Sequence, residues 1–223
     1  MKQRLTDISQ LIDLAGVDAL KGISIDGDTV TIGAMTTQHE LITSGTLHEV
    51  APIIREASLQ IADPQVRYVG TIGGNVANGD PANDMPGLMQ TIDAKYRLAG
   101  PKGERTVAAR DFYEAAYFTA REEDEILTSI SFVAKRCGYA YEKQKRKIGD
   151  YATAAAGVLL SMDNGVCSSA SIALTNLSDT PVYCDAAVEV LVGSSVDDNS
   201  FFLILSTSST NFKSVILLII QLP

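Results

Sequence analysis

The chain has 223 residues, with 27 Asp and Glu against 18 Lys and Arg, for a formal net charge of −9. That length suits one large domain or two modest ones around a buried core, and 46% hydrophobic with 20% charged residues excludes wholesale disorder. The acidic balance excludes a nucleic-acid binder, which needs a cationic footprint to displace counterions.

Three cysteines, Cys137, Cys167 and Cys184, are odd in number and unclustered, which argues against a disulfide framework and for a reduced, cytoplasmic setting. His39 and His48 have no cysteine or carboxylate at ligand spacing, so no metal site is expected. The first residues carry no apolar signal core.

In chain order, Ile8, Leu11 and Ile12 have helical spacing after the N-cap candidate Asp7. Ile23 and Ile25, the turn Asp26-Gly27-Asp28, and Val30 with Ile32 predict a β-hairpin. Thr37-Gln38-His39-Glu40 has the form of a capping box, which places His39 in a first helical turn. Pro52 opens a helix with Ile53, Ile54 and Ala57 on one face. From Ile61 to Asp84 the pattern predicts a long Gly/Asn/Asp/Pro-rich loop, then a short helix carrying Leu88, Met89 and Ile92. Strands are expected at Lys95–Leu98 and Arg105–Val107, a helix over Asp111–Tyr117, and a strand through Ile126, Ile130 and Phe132.

The basic run Lys143, Lys145, Arg146 and Lys147 reads as a boundary, with a second domain from about Gly138. Beyond it, Ala152–Leu160, the turn Asp163-Asn164-Gly165 and Val166–Thr175 predict another hairpin. Strands that come in hairpins make the fold class α+β. Residues 199–223 differ in composition, with one charge, no alanine and no glycine. They are expected to be an atypical tail, out of frame with the rest, with deletion improving solubility; buried strands are the other reading. Its apolar runs are too short for a membrane span.

The segment Val69-Gly-Thr-Ile-Gly-Gly-Asn-Val-Ala-Asn-Gly-Asp-Pro-Ala-Asn-Asp84 is the richest in chemistry. Gly70, Gly73 and Gly74 let backbone N–H groups approach a ligand. Thr71 and Asn75 add donors, and Asp80 and Asp84 add acceptors for hydroxyls. Donors for phosphate beside carboxylates for sugar suit a nucleotide. A tight turn before a helix capped by Asp80 or Asn83 is the equally weighted structural alternative. The usual dinucleotide fingerprint is absent.

Arg67-Tyr-Val-Gly-Thr-Ile-Gly-Gly-Asn-Val-Ala, with Asp80-Pro81 and Asp84, resembles the FAD-binding medium subunit of the molybdenum hydroxylases, the carbon monoxide dehydrogenase and xanthine dehydrogenase family. The resemblance continues through Gly100-Pro-Lys-Gly-Glu-Arg-Thr-Val, Asp111-Phe112, Glu125-Ile-Leu-Thr-Ser-Ile, Lys143-Gln144 and Arg146-Lys-Ile-Gly-Asp-Tyr-Ala152 to about Asp198. It implies an FAD-binding domain over residues 1–137, the start of a small α+β flavoprotein C-terminal domain over 138–198, and the tail 199–223. It further implies that Thr71, Ile72, Gly73, Gly74 and Asn75 form the second FAD loop and that Asp84 meets polar groups of the cofactor chain. Leu127 and Lys143 match positions at the flavin end, where Ile61 stands in a place often held by a larger ring-contacting residue; without the resemblance, Leu127 reads equally as core and Lys143 as a solvated charge.

The family's first glycine-rich loop, which grips the pyrophosphate and ends near a Met-Lys, is not seen before Met1-Lys2. The chain is therefore expected to be truncated there and to bind FAD weakly by itself. The implied function is electron transfer: an iron–sulfur small subunit delivers electrons, a molybdopterin large subunit oxidises substrate, and FAD passes electrons to an acceptor. No catalytic residue is named, since no His–carboxylate or Cys–His constellation is present. A self-contained FAD oxidoreductase and a docking fragment that no longer binds flavin are the alternatives.

Overall fold

The computed structural model describes residues 10–196. In chain order these form the strands β1 (Ile23–Asp26) and β2 (Thr29–Gly33), then the helices α1 (Gln38–Thr43), α2 (Gly45–Val50), α3 (Pro52–Gln60), α4 (Pro64–Val69), α5 (Ile72–Ala77) and α6 (Asp84–Thr91). The strands β3 (Lys95–Gly100), β4 (Gly103–Ala108), β5 (Tyr113–Ala115), β6 (Phe118–Thr119) and β7 (Ile126–Val133) follow. Last come β8 (Gly138–Gln144), β9 (Ala154–Asp163), β10 (Val166–Thr175), β11 (Val182–Tyr183) and α7 (Asp185–Leu191).

A five-stranded antiparallel sheet, ordered β1-β2-β7-β3-β4, carries the first core on one face. Val30, Ile32, Tyr96, Leu98, Ile130 and Phe132 alternate inward, as period-2 patterning requires. The evenly spaced set Ile126, Ile130, Phe132 does not hold to its end. Pairing shifts register between Arg97 and Leu98, so Leu98 faces Leu127. This bulge turns Leu127 inward at 6% exposure and Ile126 outward at 41%.

The second sheet, ordered β11-β10-β9-β8, is built on the Asn164-Gly165 turn. Both turn residues have positive φ, +50° and +82°, the conformation for which this dipeptide is suited. Helix α6 is buried along its whole length and packs against β9 and β10. Two glycines permit that approach: a Cβ on Gly87 would lie 2.1 Å from Thr175 Oγ1, and one on Gly157 would lie 2.6 Å from Thr91 Oγ1. α6 thereby joins the core of the first sheet to the inner face of the second.

The hairpin at β1–β2, the capping box at Thr37, the Pro52 helix, the β3–β4 hairpin and the β9–β10 hairpin form as expected. Three expectations are corrected. Leu11 and Ile12 lie outside any helix at 65% and 85% exposure, because an apolar triplet without a packing partner does not offset helix nucleation; Ile8 and the Asp7 cap lie outside the described residues. The supposed loop Ile61–Asp84 contains α4 and α5, begun by the N-caps Asp63 and Thr71. Residues Asp111–Tyr117 form no α-helix. Phe112 and Tyr113 stack edge-on with Tyr96, and Tyr117, at φ +64°, closes the β5–β6 hairpin. The 199–223 tail lies outside the described residues.

Candidate functional site

The glycine-rich segment is fixed by an isolated bridge between Thr37 and Thr71. Gln38 N–H donates to the Gly70 carbonyl at 2.8 Å, and Ile72 N–H donates to Thr36 at 2.9 Å. Thr71 then caps α5, its hydroxyl accepting from Gly74 N–H at 3.1 Å. Gly73 N–H donates to the Ala34 carbonyl at 2.9 Å, and Asn75 N–H to the Thr71 carbonyl at 3.1 Å. The N–H groups of residues 72–75, expected to turn onto a ligand, are therefore spent inside the protein. Gly73 serves close packing: a Cβ there would sit 2.5 Å from Ala34 Cβ. Neither Asp80 nor Asn83 supplies a side-chain helix cap.

What stays open is polar. Gly74 is exposed, and a Cβ on it would press on the Thr71 hydroxyl at 2.9 Å. The glycine thus keeps bare backbone beside that hydroxyl, whose own O–H remains able to donate. Asn75 Oδ1 accepts from Met85 N–H at 3.3 Å, and its Nδ2 makes no hydrogen bond among the described residues. Beside the bridge, the buried Gln38 carboxamide has neither polar atom partnered among the described residues. Asp80 Oδ1 accepts from Ala82 N–H at 2.9 Å, and its bond and charge raise the pKa of the Tyr117 phenol.

Asn75 ties α5 to the start of α6, where Asp84 stands. Asp84 is buried with both oxygens engaged. Oδ2 pairs with Lys143 Nζ at 2.8 Å, the side chains being 5% and 1% exposed. Oδ1 accepts from Tyr141 O–H at 2.6 Å. Burial, then the Asp84 charge, pushes the Tyr141 phenol well above its ordinary pKa, so it stays a donor. Lys143 Nζ also donates to the Gln60 carbonyl at 3.2 Å, next to Ile61. The reading of Lys143 as a solvated charge is thereby overturned.

The sequence-predicted residues fall into one connected region. Thr71, Ile72, Gly73, Gly74 and Asn75 begin α5, Asn75 leads to Asp84, and Asp84 leads through Lys143 to Ile61. Leu127 shares a buried hydrophobic cluster with Ile61 and Ile72, and the backbone links it as well: its neighbour Thr128 accepts from Ala34 N–H at 3.0 Å, and Ala34 accepts from Gly73. Sequence reasoning missed Tyr141, although it stands two residues from Lys143 on one strand and so shares its face. It offered Arg67 only as a source of local charge and gave no role to Gln60; the contacts of both arise only when α3, α4 and β8 meet.

The open donors fit phosphate and sugar oxygens. Among the described residues no group of His, Cys, Asp or Glu is arranged to hold a metal ion, and no helix is long and apolar enough to cross a membrane.

Residues 1–132 match the family model described as the FAD binding domain in molybdopterin dehydrogenase, and residues 139–213 match the CO dehydrogenase flavoprotein C-terminal domain. The chain is 58% identical over 199 residues to the carbon monoxide dehydrogenase medium chain of Afipia carboxidovorans, covering 88% of this chain and 69% of that one. It is 42% identical over 195 residues to the corresponding chain of Hydrogenophaga pseudoflava, covering 86% and 68%. The structure of reconstituted CO dehydrogenase from Oligotropha carboxidovorans superposes with a TM-score of 0.90 at 53% identity, over 95% of this chain and 77% of that chain.

Proposed function

The chain belongs to the FAD-binding medium subunits of the molybdopterin dehydrogenases, and from that premise we propose that it is the flavoprotein of a carbon monoxide dehydrogenase-type complex. Its partners in this reading are an iron–sulfur small subunit and a molybdopterin large subunit, and its compartment is the cytoplasm. FAD, when bound, supplies the exchange between single-electron delivery and an external acceptor.

The chain's own residues bind and orient. Thr71 O–H and Asn75 Nδ2 donate to oxygens of the cofactor, and Gly74 leaves room for them beside Ile72 and Gly73. Ile61 and Leu127 line the flavin end, while Asp84 and Lys143 hold the surrounding elements at fixed spacing. Residues 1–137 form the FAD-binding domain and 138–198 begin the C-terminal domain. No proton is moved by a side chain in this scheme.

The observation that carries the reading is the open polar patch at Thr71, Gly74 and Asn75 in a segment the family model matches. Fluorescence titration with FAD tests it. Thr71→Val and Asn75→Leu should each weaken binding about tenfold, the equivalent of one or two lost hydrogen bonds at about 1.4 kcal/mol. Unchanged affinity in both variants refutes the assignment.

A further inference from the structure

Helix α3 ends against two cations that come from outside it. The carbonyls of Leu59, Ile61 and Ala62 all accept from Arg67 Nη1, at 3.3, 2.9 and 3.3 Å. The intervening Gln60 carbonyl accepts from Lys143 Nζ at 3.2 Å. Four consecutive carbonyls at a helix C-terminus, where partners within the helix run out and the dipole is negative, are thus met by positive charge. The clamp is needed because the turn is strained. Ala62 has φ +44°, a left-handed conformation that costs a residue with a Cβ about 1–2 kcal/mol.

Both sides of the turn are fixed. On one, Arg67 is carried in the last turn of α4, whose start is capped by Asp63 immediately after Ala62. On the other, Gly149 lies flat on the turn: a Cβ there would stand 3.0 Å from the Ala62 carbonyl oxygen. Ile61 is therefore held in a short arc whose backbone has no slack, and the guanidinium is what closes it. Arg67 belongs to neither core and carries no ion pair among the described residues.

We propose that Arg67 is a positioning residue: by gathering the Leu59, Ile61 and Ala62 carbonyls on one nitrogen, it sets the side chain of Ile61 at the flavin end. This deepens the reading of Ile61 given above and rests on it. Arg67 touches no cofactor in this scheme; its effect passes through the turn.

The test compares Arg67→Met, Ile61→Ala and their double variant in the FAD-loaded protein, reading flavin content, the visible flavin absorbance and the flavin midpoint potential. Arg67→Met should keep its flavin, shift the potential in the same direction as Ile61→Ala, and add nothing to it in the double variant, since the two act through one side chain. Arg67→Lys, which restores charge and donor, should return the potential towards that of the parent. A parental potential in Arg67→Met beside a shifted one in Ile61→Ala overturns the proposal, and so does an additive double variant. If Ile61→Ala with flavin bound leaves both absorbance and potential unchanged, the flavin-end reading itself fails and the proposal falls with it. Should Arg67→Met not fold, Arg67→Gln carries the same comparison with the same overturning result.

Discussion

Replacing Lys143 by methionine should destabilise the protein more than the loss of one hydrogen-bonding group would suggest. The ammonium lies 2.8 Å from Asp84 Oδ2 with both side chains out of solvent, so its removal strands a buried carboxylate whose remaining side-chain donor is Tyr141. Breaking one half of such a pair costs about 3–5 kcal/mol, against a total stability of about 5–15 kcal/mol for a typical domain. The same change frees the Gln60 carbonyl at the end of α3. Removing the charge from both sides is a different perturbation: in Asp84→Asn/Lys143→Met the amide oxygen still accepts from Tyr141, and no unpaired ion remains. That double variant should recover most of the loss. Urea unfolding followed by circular dichroism gives the midpoints, with unchanged slopes showing that the comparison is sound. A loss below about 1 kcal/mol in Lys143→Met, or a double variant at the sum of the two singles, would refute the claim that this pair is desolvated and mutually dependent.

Two further outcomes separate structural from binding roles. Gly73→Ala, pressed 2.5 Å from Ala34 Cβ, should lose about 1–3 kcal/mol by overpacking, whereas Gly74→Ala, on the exposed side and pressed only on the Thr71 hydroxyl, should lose less stability and lose FAD affinity; equal losses of melting temperature in both would contradict the packing argument. Glu125 is held down to about 2 by the Arg105 guanidinium and then by Glu122 N–H. The unfolded carboxyl takes up its proton near ~4.3, so the stabilisation is complete above that pH and is lost as pH falls towards the folded value. The melting-temperature advantage over Glu125→Gln should shrink across this window, and an advantage independent of pH would count against the pair.

Much of the fold was legible because local chemistry and tertiary packing agree. Asn164-Gly165 has the positive φ pair its turn requires, and Thr37 with Glu40 forms the reciprocal cap that their spacing implies. The failures have specific causes. Glycine and proline punctuation hid α4 and α5, since six-residue helices owe their existence to the caps Asp63 and Thr71 and to what they pack on, not to a long apolar period. At Phe112 and Tyr113, the aromatic contacts with Tyr96, distant in sequence, selected a hairpin over the apparent helix. The bulge opposite Leu98 moved Leu127 inward, a change of face that spacing along one strand cannot reveal.

The candidate site illustrates a sharper limit. A glycine pair in sequence states that two side chains are excluded, without stating by what. Here Gly73 is excluded by the protein itself, through Ala34, and only Gly74 faces outward. The same division runs through the charged residues. Asp84 and Lys143 neutralise one another in the interior, and a carboxylate that receives Lys143 and Tyr141 at 5% exposure presents little surface to a sugar hydroxyl. Polar groups saturated in this way set distances between elements; polar groups left open meet ligands. In this chain the interior set comprises Asp84, Lys143 and Tyr141 on α6 and β8, with Arg67 reaching the end of α3 from α4, and the open set comprises the Thr71 O–H and Asn75 Nδ2. Affinity for the cofactor should therefore respond to the second set, and the shape and potential of its surroundings to the first.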